Sequence, residues 1–363
     1  MIYLNNASTT KISDSFKKDI QFCFETAWMN PSSTYPVFEQ ELLWKCRETA
    51  AKAINSEVYQ IIFTSSGSES NALATSLASN GELWVSTVEH ESLYSIPLTN
   101  KIHVDENGKI KEDELYDVPR GATVCIQYVN NETGVFQDIP KIAKILHERG
   151  AYLHCDAVQA FPHLPIDVKT LDVDSLSISG HKFGCAPGCG LLFVKDQGRF
   201  KPQISNTQEW GLRGGTENLP YIYGMTNRMM KIANSDFDNS KFIDYEDYIY
   251  SSLTASGIDF IVNGVETIYS IISLSFRGIR GLDLAQILAD QQIYVSTGSA
   301  CSSFTNKASH VLEAMNVPKD YIHGSIRISF SPETTMSEVK TATKAIITAV
   351  KMLKGRDEDV KTN

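Results

Sequence analysis

Apolar and polar positions fall into short blocks along this chain, and the blocks switch period in a regular order. Compact apolar runs at 58–63, 83–88, 123–129, 151–153, 176–178 and 191–194 read as strands. Helical spacing fills the gaps, with a helix predicted over 37–54 and another over 139–148 that carries Ile142, Ile145 and Leu146. Strand and helix in alternation predict an α/β sheet with a parallel core, whose ligands gather at the strand ends. Before it, Phe16, Ile20, Phe24 and Trp28 recur at steps of four, a stripe expected to face a core and stopped by Asn30-Pro31-Ser32-Ser33. After a polar, acidic joint at 234–246 come strands near 258–262 and 268–276, a helix at 282–290, a strand at 293–295 and a helix at 307–315. In the strand at 326–330, Arg327 and Ser329 face one side and the apolar residues the other. A last helix at 336–353 leads to a polar tail, 355–363.

The chain of 363 residues is long for one core, so two domains are expected, and 42 % apolar residues exclude global disorder. A formal charge of −10 without a basic run argues against nucleic acid as the main ligand. Seven cysteines at irregular spacing do not form a disulfide framework and suit a reducing compartment. The opening residues, MIYLNNASTT, do not read as a signal peptide, and no apolar run approaches the length of about 18 expected of a membrane span. A cytoplasmic protein is the expectation.

Candidate chemistry sits where strands end. Thr64 to Asn71, reading Thr-Ser-Ser-Gly-Ser-Glu-Ser-Asn, is a strand, a small turn and a helix start, where free amides and the hydroxyl of Ser66 or Ser68 suit a phosphate. The same residues suit plain helix capping, and no Gly-Lys-Ser/Thr makes them a P-loop. His90 ends a strand between Glu89 and Glu91, placed either to reach a crevice or to stay solvated. His154, Cys155 and Asp156 are adjacent, so as strand residues they face opposite sides and make a poor metal site. Asp156 is better suited to a cationic ring nitrogen. In Ser179-Gly180-His181-Lys182 a lysine follows a buried strand; it either forms a Schiff base with a carbonyl cofactor or merely closes the strand. Cys301 lies among small polar residues, as a reactive thiolate or an incidental thiol. Arg327 is placed to clamp a carboxylate or to pair with one of the protein's own.

Taken together, these motifs resemble the cysteine desulfurases, in the nitrogen-fixation and iron–sulfur cluster branch of the fold-type I, class V aminotransferase-like enzymes. The resemblance runs in collinear order through Asn5-Asn6-Ala7, the turn at 63–71, Glu89-His90, Asn130-Asn131-Glu132-Thr133-Gly134 and the run from His154 to Gln159. It continues through Ser179 to Lys182, Arg213-Gly214-Gly215-Thr216, Ser299 to Ser303 and Arg327-Ile328-Ser329. It implies a mostly parallel sheet in a large domain, 12–245, and a smaller α/β domain from 1–11 and 246–363. It implies pyridoxal 5′-phosphate bonded to Lys182, with His90 on the ring and possible proton work, Asp156 at the ring nitrogen and Gln159 at the phenolic oxygen. Asn131 would stand beside ring and substrate, and Gly67, Ser68, Ser179 and His181 around the phosphate. Thr216 would reach the phosphate of a second subunit in a homodimer. Arg327 would hold the carboxylate of L-cysteine, and Cys301 would take its sulfur as a persulfide and pass it to a protein acceptor. A selenocysteine or C–S lyase, or a low-turnover sulfur-handling or regulatory binding protein, are the alternatives. The chain departs from the family pattern at Ser66-Gly67-Ser68, Cys185, Cys189, Trp210 and Ser331.

Overall fold

The computed structural model describes residues 1–76, 81–235, 239–298 and 308–361. The chain opens with β1 (Ile2–Tyr3) and helices α1 (Asp14–Thr26) and α2 (Val37–Ala53). The main sheet follows as β2 (Ile61–Thr64), β3 (Leu83–Ser86), β4 (Asn100–Ile102), β5 (Thr123–Gln127), β6 (Tyr152–Asp156), β7 (Ser175–Ser179) and β8 (Gly190–Val194). Their spatial order is β2-β8-β7-β6-β5-β3-β4. From β4 to β7 every pairing is parallel, and β8 alone runs against both its neighbours. The connecting helices are α3 (Gly67–Thr75), α4 (Glu91–Tyr94), α5 (Ile139–Arg149), α6 (Val168–Leu171) and α7 (Leu219–Ala233). Every residue of β2, β5, β7 and β8 is buried, which is why β2, β5 and β8 carry apolar runs; β7 alternates Ser with Leu and Ile although both its faces are covered. Local signals set the boundaries. Asp138 caps α5 through the Lys141 amide and Gly150 ends it at φ +73°. Glu57 and Gln60 close a capping box that turns 58–60 into a 3₁₀ turn, so β2 starts only at Ile61.

The second region contains α8 (Ser240–Ala255), β9 (Phe260–Val262), β10 (Ile271–Phe276), α9 (Gly281–Asp290), β11 (Ile293–Tyr294), α10 (His310–Ala314), α11 (Lys319–Ile322), β12 (Ser325–Ser329) and α12 (Met336–Lys361). Its antiparallel sheet, β12-β10-β9, packs with α8, α9 and α12 around a separate core that includes Leu4, Leu274, Phe276, Ile328 and Ile346. β1 joins this side by pairing in parallel with β11. The expected boundary at 245 falls inside α8, whose Phe242 and Tyr245 already pack in the second core. The tail expected from 355 is helical through Lys361.

The stripe at Phe16, Ile20, Phe24 and Trp28 does not face the core as expected. Phe16 is fully buried, whereas Phe24 is 64 % and Trp28 76 % exposed. A step of four overshoots a helical turn by about 40°, so the stripe rotates away from the face that Phe16 fixes. That face is set by α7: a Cβ at Gly224 would stand 2.6 Å from the Phe16 ring, and Tyr221 meets the ring edge-on.

Beneath the strand ends His154 is wholly buried, with Nδ1 2.9 Å from Ser175 Oγ and Nε2 3.0 Å from Asn71 Oδ1. Burial pushes its pKa down from 6.5 to about 4, the nearby Asp156 opposing this. The folded ring therefore stays neutral where the unfolded one takes up a proton, so stability falls as pH drops from 6.5 to about 4. The loss attributable to this ring is about 3 kcal/mol. His154→Gln is expected to make the fall of the urea midpoint over that window shallower than in wild type; an identical slope would contradict the assignment.

Candidate active site

A cavity of about 350 Å³ opens at the carboxyl ends of β5, β6 and β7. Gln127, Asp156 and Ser179 reach it from those strands, α3 and α4 contribute their first turns, and Ala7 and Ser8 of the amino-terminal segment and Arg327 of the second region close it. Ten residues singled out from the sequence line it together: Gly67, Ser68, His90, Asn131, Asp156, Gln159, Ser179, His181, Lys182 and Arg327. Thr216 does not: it lines a second cavity of about 140 Å³, with Arg213 and Glu217. Cys301 lies outside the described residues.

Lys182 leaves a single 3₁₀ turn after β7, and its Nζ donates to the carbonyls of Ala7 (2.6 Å) and Ser8 (2.8 Å). The turn is tight because Gly180 has no side chain: a Cβ there would lie 2.6 Å from Cys189 Sγ and 3.0 Å from Cys185 Cβ. Those two cysteines are buried and pack under the turn. Asp156 is 5 % exposed; its Oδ1 accepts from the Val158 amide (2.9 Å) and its Oδ2 from Asn71 Nδ2 (2.8 Å). His154 in turn holds Asn71, so neither it nor Cys155, which is buried in the core, is disposed as a metal ligand. Among the described residues no cluster of His, Cys, Asp and Glu is arranged to hold a metal.

His90 caps α4, its Nδ1 accepting from the Ser92 amide at 3.2 Å. The neutral ring therefore carries its proton on Nε2, and burial lowers its pKa further. His181 is held neutral in the same way, at about 4, by burial and then by Lys182 and His90. Ser66 caps α3 through the Glu69 amide (3.1 Å), leaving Gly67 and Ser68 at the head of the helix, where amides have no partner inside the helix. Arg327 is 2 % exposed: Nη1 donates to the Asn131 carbonyl (2.6 Å), Nη2 to Asn5 Oδ1 (2.8 Å), and Nε has no partner. Burial lowers its pKa to about 10, with the Glu132 carboxylate and Tyr3 opposing this. Its hydrogen bonds go to a carbonyl and an amide oxygen, not to a carboxylate.

Several contributors carried no signal of their own. Asn71 ends the motif at 64–71, but its part, bracing Asp156, depends on β6 crossing beneath α3. Ser92 orients His90, Gln127 bonds the Val88 carbonyl behind it, and Asn5 orients Arg327. Ser92 acts from two residues away, but the other three act across large sequence separations, which no local pattern records.

The wall fits pyridoxal phosphate. Two buried polar atoms without partners, Gln159 Oε1 and Arg327 Nε, belong to residues of one cavity, where a polar ligand would satisfy them. A helix start offers amides for an anion, while a carboxylate, an imidazole and an amine surround the space between. At Gly67 a Cβ would lie 2.6 Å from Val158 Cγ2, so the helix head is seated directly against the turn after Asp156.

The sequence matches the aminotransferase class-V family over residues 2–341. The cysteine desulfurase IscS of Methanosarcina thermophila is 31 % identical, over 97 % of this chain and 93 % of its own. Among solved structures, a NifS-like protein from Rickettsia africae superposes with a TM-score of 0.87 at 28 % identity, covering 96 % of this chain and 99 % of that one. SspA in complex with cysteine gives a TM-score of 0.78 at 26 % identity, covering 92 % and 100 %. With its parallel sheet, its strand-end cavity and these matches, the chain belongs to the class-V aminotransferase family, among its pyridoxal phosphate-dependent cysteine desulfurases.

Proposed function

We propose that the cavity removes sulfur from L-cysteine, releasing L-alanine, and that the sulfur leaves as a persulfide on Cys301. The observation that carries this reading is the facing of Lys182 and Arg327 across one cavity, an amine and a buried guanidinium with a nitrogen still unpaired. Pyridoxal phosphate, when bound, would supply an electron sink for the amino acid's α-carbon. Lys182 would carry it, with Asp156 toward the ring nitrogen, Gln159 toward the phenolic oxygen, His90 on the ring and Asn131 beside it. Gly67, Ser68, Ser179 and His181 would take its phosphate.

The protein's own groups divide the remaining work. Arg327 fixes the substrate carboxylate, and its rigid hold by Asn5 and Asn131 orients the amino acid. Lys182 Nζ takes the α-proton and returns one to the product. His90, neutral with its proton on Nε2, stands in the same cavity to move protons near the sulfur. The Cys301 thiolate attacks the substrate sulfur: the S–S bond forms, the C–S bond breaks and its electron pair goes to carbon. The net exchange is cysteine and a thiol to alanine and a persulfide.

A second copy of the chain is part of this reading. Thr216 is exposed and lies outside the main cavity, on a loop fixed by Arg213 to Glu69 (2.7 Å). Its neighbour Glu217 accepts from Ser32 Oγ at 2.8 Å, which ties that loop to the exposed aromatic surface of Phe24, Trp28, Tyr35 and Phe38. We take that surface as the homodimer contact that delivers Thr216 to the other subunit's phosphate. The released sulfur goes to a protein acceptor. The cytoplasm is the proposed compartment, because Cys301 must remain a thiol and the six described cysteines are unpaired.

Borohydride treatment of the cofactor-loaded protein is expected to fix the cofactor on Lys182, and Lys182→Ala to lower alanine release by a factor on the order of 10²–10⁴; an adduct elsewhere would overturn the site. Cys301→Ala should abolish the mass gain of one sulfur on that peptide and the alanine release that depends on it. Equal turnover to sulfide in both proteins would replace the relay with a lyase. A Phe24→Glu, Trp28→Glu double variant should sediment as a monomer and retain cofactor poorly; wild type that sediments as a fully loaded monomer would remove the dimer from the account.

A further inference from the structure

Glu132 is a buried carboxylate that the chemistry above leaves without a task. It is 2 % exposed and follows Asn131 in the turn after β5, with its amide bonded to Asn130 Oδ1 at 2.8 Å. Burying a carboxylate is costly unless its oxygens are satisfied. Its Oε2 accepts from Ser309 Oγ at 2.6 Å. The same oxygen would stand 3.1 Å from a Cβ at Gly298, a residue at φ +95°, so the chain passes here close against the carboxylate and only glycine fits without adjustment. Gly298 and Ser309 lie just before and just after the stretch that contains Cys301. One side chain therefore touches both borders of that stretch.

Each border is also tied to a different part of the cavity. On the first, Ser296 and Arg327 exchange backbone hydrogen bonds of 2.7 and 3.1 Å, and Ser296 Oγ donates to the Gly298 carbonyl at 3.0 Å. On the second, Ser309 caps α10, and His310 Nε2 donates to the carbonyl of Glu89, the residue before His90, at 3.0 Å. The His310 ring stacks on Tyr94 of α4 with centroids 3.9 Å apart. Arg327 and His310 face Glu132 as favourable charges and Glu91 as an unfavourable one.

We propose that Glu132 is a positioning residue for sulfur transfer: through Ser309 and the close passage of Gly298 it holds both borders of the Cys301 stretch in register with Arg327 and His90. The proposal rests on the reading of Cys301 as sulfur acceptor. Its physical content is that a nucleophile must approach within near-contact distance of the sulfur, and a displacement of about 1 Å costs a factor of about 10² in rate.

The test uses the cofactor-loaded dimer or monomer as purified, in four forms: wild type, Glu132→Ala, Ser309→Ala and Glu132→Gln. Single-turnover sulfur labelling of Cys301 is followed by mass, the KM for cysteine by alanine release, and the resting reactivity of Cys301 by its alkylation rate with iodoacetamide. Glu132→Ala and Ser309→Ala are expected to slow labelling by about 10- to 100-fold and to change the alkylation rate, with KM nearly unchanged, while Glu132→Gln, which keeps an acceptor for Ser309, recovers most of the rate. A raised KM with unchanged labelling would make Glu132 a charge partner of Arg327 and overturn the proposal. So would wild-type labelling in Ser309→Ala, which also decides the matter if Glu132→Ala fails to fold. If wild type itself gains no sulfur on Cys301, the desulfurase reading falls and takes this proposal with it; labelling intact in wild type and in the variants sinks the positioning role alone.

Discussion

The site depends on how its amino-terminal segment is clamped between the two cores. Leu4 is buried in the second core and accepts from the Ser329 amide at 2.8 Å, and the Ala7 amide donates to Ser329 Oγ at 2.9 Å. Asn5 reaches Arg327 on one side of this crossing, and the carbonyls of Ala7 and Ser8 receive Lys182 on the other. Four consecutive residues thus fix the separation between an amine on the large sheet and a guanidinium on the small one. Any relative shift of the two cores strains hydrogen bonds at both ends. The site's geometry is a property of the join between cores, not of either sheet alone.

The rim is secured by a second buried device. Arg47 on α2 forms paired bonds of 2.7 and 2.5 Å with Glu209, which also accepts from the Phe63 amide. The guanidinium lies between Phe63 and Trp210, 5.0 and 5.2 Å from the ring centroids. Glu209 and Trp210 both adopt left-handed backbone, at φ 48° and 60°, a cost that the buried contacts must offset. Trp210 departs from the family pattern, and here it covers one face of a buried cation while its Nε1 donates to the Ile61 carbonyl at 3.2 Å. Removing one partner of such a buried pair typically costs about 3–5 kcal/mol. The loop from 208 to 217 is consequently well anchored, and Thr216 is displayed from a fixed base.

Much of this was legible because strands of a parallel sheet, buried on both faces, write themselves as apolar runs, and their ends carry the polar residues that line the cavity. Asp156, Ser179 and Lys182 could be named that way. Phe24 and Trp28 were misread because their spacing shows helical period but does not reveal which face a neighbour will cover; Gly224 decides that from two hundred residues away. The start of α8 was hidden in a polar stretch, since Phe242, Ile243 and Tyr245 stand among Ser, Lys, Asp and Glu in its first turns. The parts played by Asn5 and Asn71 were unreadable for a different reason. They lie in hydrogen bonds to the side chains of Arg327 and Asp156, which come near only after the sheet has closed.

The turn before Lys182 carries one more implication. Because β8 returns antiparallel beside β7, the sulfur of Cys189 and the Cβ of Cys185 fill the space that a larger residue at 180 would need. Positions 180, 185 and 189 are therefore sterically coupled, and a lineage could enlarge one only after shrinking another. Sequence drift in this family at those three sites should be correlated rather than independent.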